Sequence, residues 1–594
     1  MSIFRFLVFI SLAGLVIGCH SPTTDDQSLA EPVESNSERE TRVVQLVKQP
    51  GPEVEADVVD RTAAAKVIEE VIVTGARPAH PAAMDLAAHV KQRAHYLRMP
   101  SAPAYQDYGR DQYQVFQDNR WTWTHDQSVS TFAVDVDTAS YANMRRSLEE
   151  GLLPPGDAIR VEELVNYFDY DYPAPQGEEP FGIYREIGPS PWASQSKLLH
   201  IGINTTPPAS VDDLPPANLV FLVDVSGSMQ APNKIHLLKR ALKLLTRQLR
   251  PQDRIALVVY AGAAGMVLDS TPGSQKGEIL AAIDNLQAGG STNGAAGIHL
   301  AYQLAQQHFI ANGINRVMLA TDGDFNVGTT DTRALEQLVE RKRQSGVALT
   351  VLGFGSGNLN DHMMQKIAQV GDGNAAYIDT MHEARKVLVD ELGATLNIVA
   401  RDVKIQVEFN PAVVTGYRLI GYETRHLNRE DFNNDKVDAG DVGEGHTVTA
   451  LYEVSLVGDD HPLVDELRYP KLNAEQPTQG PRLSELAHIK VRYKSEHGGR
   501  SQLISRVVQR DDVQPSFAQT SQRFRFSSAV AWFGQLLRGS DVVANQDYQQ
   551  LLDVAGRAKG ADNQGYRSEL LKLMRTAQAL LPTAPPAEEI AKSS

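Results

Sequence analysis

Three oxygen-bearing side chains stand at alternating positions directly after an apolar run of the sequence. Asp224, Ser226 and Ser228 follow residues 218–223, Asn-Leu-Val-Phe-Leu-Val, which have the length and composition of a buried strand. A hydrated Mg²⁺ needs about six oxygens at near-octahedral angles, and a carboxylate with two hydroxyls on a tight turn can supply half of them. Mn²⁺ or Ca²⁺ could occupy the same oxygens. The turn therefore predicts a divalent-metal site.

Two further motifs carry oxygen donors that could reach the same place. Residues 289–293, Gly-Gly-Ser-Thr-Asn, lead into a predicted helix and can bring the Thr292 hydroxyl to a ligand, and Asp322 ends a second apolar run. Between residues 216 and 395 apolar strands alternate with amphipathic helices, which predicts an α/β domain with a doubly wound, mainly parallel sheet. Ligands bind such sheets beyond the carboxyl ends of the strands, and both Asp224 and Asp322 stand at such ends.

The order and separation of these motifs resemble the metal-ion-dependent adhesion site of von Willebrand factor type A (VWA) domains, which have a Rossmann-like fold. The resemblance implies that the hydroxyls of Ser226, Ser228 and Thr292 approach a Mg²⁺ ion directly, while Asp224 and Asp322 act partly through ordered waters. It also implies a vacant coordination position that accepts an Asp or Glu side chain of a partner protein. A turn that keeps this shape without binding an ion is the alternative.

A second aspartate pair suggests a different chemistry. Asp135 and Asp137 resemble the nucleophile motif of haloacid-dehalogenase-type phosphatases, but that family has a threonine two residues after the second aspartate, where this chain has Ala139. The chain also lacks the Gly-x-Ser-x-Gly, His-Glu-x-x-His and Gly-x-x-x-x-Gly-Lys-Ser/Thr motifs. We therefore expect that the protein is not an enzyme. A metal-dependent hydrolase that uses Asp135 and Asp137, or the adhesion site, is the least favoured alternative.

An acidic loop near the middle of the C-terminal half has the oxygen donors of a calcium site. Residues 431–438 read Asp-Phe-Asn-Asn-Asp-Lys-Val-Asp. They lack the glycine at the sixth position and the glutamate at the twelfth that an EF-hand loop needs. We favour a turn-rich connection between strands, and metal binding remains the alternative.

The N-terminus has the pattern of an exported and lipid-modified protein. Residues 3–18 are mostly apolar, carry Arg5 and end before Cys19, the single cysteine of the chain, in a pattern that resembles a bacterial lipobox. The resemblance implies a signal peptide over residues 1–18 and lipidation of Cys19 in a bacterial cell envelope. The absence of Asp after Cys19 favours the outer membrane, with the protein facing the periplasm. An ordinary signal peptide or a membrane anchor is the alternative.

The polar, proline- and alanine-rich stretch 19–120 is predicted to be a disordered tether. Within it, residues 68–77, Ile-Glu-Glu-Val-Ile-Val-Thr-Gly-Ala-Arg, resemble the short N-terminal segment of TonB-dependent receptors. That resemblance implies contact with TonB-type envelope machinery. A sticky strand within a linker is the favoured alternative.

The net charge limits the possible partners, and the pattern of apolar residues predicts the secondary structure of the rest of the chain. The net charge of −16 argues against a nucleic-acid partner, because no stripe of Lys and Arg is available to neutralise a phosphate backbone. After residue 395, alternating apolar positions predict antiparallel strands, and helical patterns return between residues 516 and 581. The predicted divisions are a signal peptide (1–18), a lipidated tether (19–120), an N-terminal VWA-associated segment (121–215), the VWA domain (216–395), a C-terminal β-rich plus helical domain (396–584) and a tail (585–594).

This arrangement as a whole resembles a family of Gram-negative VWA lipoproteins, whose N- and C-terminal parts have no defined role. The expected function is that of a membrane-anchored envelope lipoprotein that binds a protein partner through a Mg²⁺-dependent site. A structural subunit of an envelope complex, in which the metal only stabilises the fold, is the alternative.

Overall fold

A computed structural model describes residues 111–581, except for 176, 178, 209, 290–293, 324–331, 460–480, 496–498 and 544–546. The predicted signal peptide, the lipidation site Cys19, residues 19–110 of the predicted tether, Thr292 and the predicted tail lie outside the described residues. Within the described part, no helix combines the length and the apolar composition needed to cross a membrane.

The described residues form sixteen strands and twelve α-helices, which we number in chain order. The strands are β1 Thr122–Trp123, β2 Val129–Ala133, β3 Phe181–Pro189, β4 Lys197–Thr205, β5 Ala217–Asp224, β6 Arg254–Tyr260, β7 Ala264–Pro272, β8 Ile314–Thr321, β9 Ala348–Phe354, β10 Ala375–Ile378, β11 Ile398–Phe409, β12 Val414–Ile420, β13 Gly440–Gly443, β14 Thr447–Leu456, β15 Glu485–Lys494 and β16 Gln502–Gln509. The helices are α1 Ala139–Glu149, α2 Val161–Asn166, α3 Ile235–Gln248, α4 Lys276–Asp284, α5 Gly294–Gln307, α6 Thr332–Arg343, α7 Asp361–Val370, α8 Met381–Arg385, α9 Leu392–Leu396, α10 Gln522–Arg538, α11 Tyr548–Ala558 and α12 Tyr566–Leu580.

The central domain is a six-stranded sheet with helices on both faces. Its strand order is β10-β9-β8-β5-β6-β7, and all neighbouring strands are parallel except β6 and β7. Alternate residues of β5 enter opposite cores: Phe221 packs with α3, and Leu222 packs with α5. The chain leaves β5 for β6 on one side and returns to β8 on the other, so the strand order reverses at β5. The predicted doubly wound α/β fold is confirmed.

Two further sheets combine strands from before and after the central domain. One has the order β1-β12-β14-β4-β3, and the other has the order β13-β11-β15-β16, with β2 paired to β11. Phe132 of β2 lies opposite Ile405 of β11, and His200 of β4 lies opposite Leu451 of β14. Strands from the predicted segment 121–215 therefore lie in the same hydrogen-bonded sheets as strands from the predicted domain 396–584.

A helical layer completes the described C-terminal part. α10, α11 and α12 pack with α1 and α2 around buried aromatic side chains, among them Trp532, Tyr167 and Phe168. α10 begins at residue 522, because the Ser521 side chain accepts a hydrogen bond from the N–H of Phe524 and caps the helix there. The predicted β-rich plus helical character of the C-terminal region is confirmed.

Residues 111–120 contact the central domain and its neighbouring elements, although the predicted tether includes them. The Asp111 carboxylate pairs with Arg146 at 2.7 Å. The N–H of Gln112 donates to the carbonyl of Leu359 at 2.7 Å. These contacts place Asp111 and Gln112, which lie within the predicted tether, in the packed structure.

Candidate metal centre

The carboxylates of Asp224 and Asp322 lie at the ends of two adjacent parallel strands. Val223 of β5 is in register with Ala320 of β8, so both strands deliver their last residues to the same edge of the sheet. Both aspartates are 0% exposed. This edge is the point of strand-order reversal, where α/β sheets bind their ligands.

The turn after β5 is held in place by hydrogen bonds to Asp224 and by an apolar anchor. Asp224 Oδ1 accepts the N–H of Ser226 at 2.8 Å, and Asp224 Oδ2 accepts the hydroxyl of Tyr260 at 3.1 Å. Met229, two residues beyond the exposed Gly227, is fully buried in the core. The turn is therefore preorganised from both of its ends.

The two serine hydroxyls of the turn lie close together at the same edge. Ser226 Oγ and Ser228 Oγ are 2.9 Å apart, and Asp322 accepts a hydrogen bond from Ser228. Ser226 is buried, whereas Ser228 is exposed to solvent. The oxygens of four predicted ligands thus converge, and the Ser228 side of the cluster is open.

The carboxyl groups of Asp224 and Asp322 have pKa values shifted in opposite directions. Burial, together with the nearby carboxylate of Asp322, raises the pKa of Asp224 to about 6. Burial also acts to raise the pKa of Asp322, but the ammonium of Lys234 and hydrogen bonds from Ser228 and Asn358 hold that pKa below its ordinary value. Tyr260 remains a donor to Asp224 because burial raises the pKa of its hydroxyl well above the usual range.

The donor set fits a hard divalent cation. Two carboxylates and two hydroxyls are the oxygen ligands that Mg²⁺, Mn²⁺ and Ca²⁺ accept. Nowhere in the described residues do three or more His, Cys, Asp or Glu side chains come together in a way that could hold a metal ion. A site built here would depend on hydroxyls, as the sequence analysis predicts. Thr292, the fifth predicted ligand, lies outside the described residues.

Three segments of the chain match known families. Residues 218–390 match the von Willebrand factor type A domain, residues 107–200 match a family described as von Willebrand factor, and residues 394–580 match the C-terminal region of uncharacterized protein YfbK. Uncharacterized protein YfbK of Escherichia coli (strain K12) is 47% identical over 479 residues, which cover 80% of this chain and 82% of that protein. The chain belongs to the YfbK family of VWA proteins.

Other relatives match the YfbK-family chain less completely. Human inter-alpha-trypsin inhibitor heavy chain H4 is 33% identical over 150 residues, which cover 24% of this chain and 16% of that protein. A von Willebrand factor type A protein from Catenulispora acidiphila aligns with 14% identity and a TM-score of 0.39, covering 69% of this chain and 91% of that chain. VWA domains commonly bind a divalent metal at a metal-ion-dependent adhesion site.

The second aspartate pair of this YfbK-family chain, Asp135 and Asp137, forms ion pairs with an arginine. Arg425 donates to both carboxylate oxygens of Asp135 at 2.9 and 3.0 Å, and to Asp137 at 3.2 Å. Asp137 also accepts the N–H of Ala375 at 2.9 Å. Both aspartates are buried, so their oxygens are committed to contacts that join three parts of the chain. The arrangement is that of a structural ion pair, and nothing in it resembles an exposed nucleophile.

Two lysine side chains donate hydrogen bonds to backbone carbonyls of the acidic loop at residues 431–438. The ammonium of Lys404 donates to the carbonyls of Asp431 and Asn434 at 3.1 and 2.7 Å. The ammonium of Lys494 donates to the carbonyl of Asp435 at 2.8 Å. Two side-chain cations therefore take carbonyl oxygens that a calcium ion would need, which favours the structural interpretation of the loop.

Sequence analysis missed Tyr260, Lys234 and Asn358, which all contact the candidate ligands. Tyr260 could have been found, because it ends β6 in register with Asp224 and thus carries a polar group to the same edge. The Lys234 ammonium lies 2.9 Å from Asp322 Oδ2 and 2.9 Å from Asn358 Oδ1. No local pattern marks Lys234 or Asn358, since each belongs to a connection whose path depends on the whole sheet.

Proposed function

We propose that this protein is an envelope lipoprotein that binds a protein partner through a divalent-metal site. The ion, Mg²⁺ or else Mn²⁺ or Ca²⁺, is held by the five predicted ligands, and an Asp or Glu of the partner completes its coordination. The predicted ligands are Asp224, Ser226, Ser228, Thr292 and Asp322. The observation that carries the proposal is the convergence of two buried carboxylates and two hydroxyls at the reversal point of the sheet.

The chemistry of this donor set favours capture of a carboxylate. Hydroxyl ligands donate less charge than carboxylates, so an ion held mainly by hydroxyls remains electron-poor and gains a strong bond from an incoming Asp or Glu. Ser228 is exposed to solvent and marks the side from which a partner can approach. The pair at Asp135 and Asp137 offers no such approach, because Arg425 covers it.

Membrane attachment is the second part of the proposal. The lipobox-like sequence before Cys19 supports lipidation of that cysteine, and the residue after it, His20, favours sorting to the outer membrane with the protein facing the periplasm. Contact of residues 68–77 with TonB-type machinery remains a subordinate part of the proposal. Nucleic acid is not an expected partner, given the net charge of −16.

A pull-down from envelope extract tests the metal-dependent binding. Full-length protein in Mg²⁺ should retain a partner that is lost in EDTA and lost with Asp224→Asn, a near-isosteric change. Asp269→Asn, which neutralises an exposed carboxylate on β7, is the matched control and should retain the partner. If partners are retained equally after chelation and with Asp224→Asn, metal-dependent binding is wrong, and the alternative of a structural subunit of an envelope complex is favoured.

Fractionation tests the anchor separately. Wild-type protein should incorporate a radiolabelled fatty acid and sediment with outer-membrane vesicles, and Cys19→Ser should do neither. A Cys19→Ser protein that still sediments with the membrane would contradict lipid anchoring at Cys19 without affecting the metal proposal.

A further inference from the structure

A lysine side chain reaches into the candidate metal centre from the loop that follows the Asp224 turn. The ammonium of Lys234 lies 2.9 Å from Asp322 Oδ2, and the Lys234 side chain is only 7% exposed. Its second partner is the side-chain oxygen of Asn358, also at 2.9 Å. Buried lysines are rare unless they are paired, so this position is specific to the site.

The route of the Lys234 side chain is built into the loop after β9. Gly355 has φ +83°, and a Cβ atom there would lie 2.8 Å from Cδ of Lys234 and nearer still to Cγ and Cε. Only glycine leaves room for the lysine stem at this point. The hydroxyl of Tyr377 donates to the carbonyl of Gly355 and holds the loop in place.

The same loop also packs closely against the backbone next to Asp322. Gly323, with φ +97°, directly follows Asp322, and a Cβ atom there would lie 2.7 Å from Cα of Leu359 and 2.8 Å from N of Asn360. The loop that guides Lys234 and carries Asn358 is thus packed against the backbone of a candidate ligand. Lys234 is therefore held at the site by the surrounding fold.

The lysine changes the charge that a bound ion would experience. Asp224 and Asp322 alone would neutralise a divalent ion. With the ammonium of Lys234 beside Asp322, the two carboxylates, the ammonium and a divalent ion together carry one positive charge. Like charges a few ångströms apart repel each other and unlike charges attract, so the ammonium should weaken binding of the divalent ion and the residual positive charge should strengthen binding of a carboxylate.

We propose that Lys234 is a built-in cation that lowers the affinity of the centre for its divalent ion and couples ion binding to capture of a partner carboxylate. This inference rests on the proposed metal-dependent function and specifies how the site is regulated. The ion binds weakly when no partner carboxylate is present, and it binds tightly when a partner carboxylate is bound. Linkage requires the reverse as well: the ion raises the affinity for the carboxylate by the same factor.

The test measures Mn²⁺ affinity of the full-length protein in detergent by the electron paramagnetic resonance signal of free Mn²⁺, with and without acetate at constant ionic strength. Lys234→Met should bind Mn²⁺ about tenfold more tightly than wild type, because a competing cation is gone. Acetate should tighten Mn²⁺ binding to wild type and should have a smaller effect on Lys234→Met. Free Mn²⁺ in acetate alone corrects for direct complexation.

Two further variants keep the test decisive. Lys239→Met removes the same charge from the next turn of α3, where the ammonium donates to the carbonyls of Asp284 and Leu286, and should behave as wild type. Lys234→Gln replaces the cation with a neutral side chain that can still hydrogen-bond, and it should reproduce the Lys234→Met result if the methionine variant does not fold.

The possible results for Mn²⁺ binding distinguish failure of the inference about Lys234 from failure of the proposed function. Equal or weaker Mn²⁺ binding by both Lys234 variants overturns the inference, while the chelator-sensitive pull-down can still support the proposed function. Tighter Mn²⁺ binding with an unchanged acetate effect overturns the coupling. Mn²⁺ binding by a Lys234 variant but not by wild type supports the inference and contradicts metal-dependent binding by the natural protein. If no variant binds Mn²⁺, the inference and the metal centre both fail.

Discussion

Two turns of this protein share the pattern Phe-x-Val-Asp-Val-x, one around Asp135 and one around Asp224. Their local geometry is also shared. Asp135 Oδ1 accepts the N–H of Asp137 at 3.1 Å, and Asp224 Oδ1 accepts the N–H of Ser226 at 2.8 Å. In both turns a buried aspartate fixes the backbone two residues ahead and keeps its second oxygen for another partner.

The two turns differ in what the rest of the chain places against them. At Asp135 the partner is the guanidinium of Arg425, which fills the space with a permanent cation. At Asp224 the partner is the neutral hydroxyl of Tyr260, and a second carboxylate, Asp322, lies on the neighbouring strand. The same turn therefore becomes an ion pair in one place and a candidate cation site in the other.

The largest effect is expected from removing the arginine that closes the first turn. Arg425→Met leaves the buried carboxylates of Asp135 and Asp137 without their guanidinium, which should cost about 3–5 kcal/mol of unfolding free energy. Urea unfolding of the full-length protein measures this loss. Arg429→Met, at an exposed position of the same connection, should change stability by less than about 0.5 kcal/mol. A loss below about 1 kcal/mol for Arg425→Met would contradict the structural role of the first turn.

The next effect concerns the metal response of the second turn. Mg²⁺ at 10 to 100 times its dissociation constant should stabilise wild type by about 1–3 kcal/mol, and Asp224→Asn should abolish this gain, because the variant loses a ligand charge. Thermal unfolding with Mg²⁺ and with EDTA measures it. The same change at the first turn, Asp135→Asn, should lower stability but leave the Mg²⁺ response intact. Loss of the response in both variants would mean that the two turns are not functionally distinct.

A smaller effect is expected at the exposed serine of the second turn, Ser228. Ser228→Ala removes one candidate ligand and should weaken Mn²⁺ binding by about tenfold, or ~1.4 kcal/mol. Stability in EDTA should stay within about 0.5 kcal/mol of wild type, because the side chain is exposed. Isothermal titration calorimetry gives the affinity, with Ser274→Ala as an exposed serine control. Unchanged affinity in Ser228→Ala would exclude this hydroxyl as a ligand.

The smallest effect tests whether local sequence alone can make a metal site. Asp137→Ser brings the first turn to the pattern Val-Asp-Val-Ser of the second, yet it should add no Mn²⁺ site, because Arg425 still covers Asp135. Stability should change by less than about 1.5 kcal/mol, because the lost hydrogen bonds are offset by relief of a buried charge. Burial and the neighbouring Asp135 already raise the pKa of Asp137 well above its usual value. A second Mn²⁺ equivalent in titration would show that local sequence suffices.

Sequence patterns predicted the parts of the fold that depend on local spacing. The apolar run before Asp224 predicts β5, and the alternation of strands and amphipathic helices predicts the doubly wound sheet, because each pattern matches the period of its element. The combination of β4 with β14 and of β2 with β11 was not predicted. These pairs join residues on either side of a whole domain, and no local periodicity specifies which distant strand is the neighbour.

By itself, the sequence determined that Asp224, Ser226 and Ser228 present oxygens on a turn at the end of a buried strand. Tertiary structure alone decided what these oxygens face. Arg425 reaches Asp135 across 290 residues of sequence, and Lys234 reaches Asp322 across 88. The physical reason is that a turn fixes only its own backbone and the direction of its side chains. The charge that meets a buried carboxylate is supplied by whichever distant segment the complete sheet brings to it.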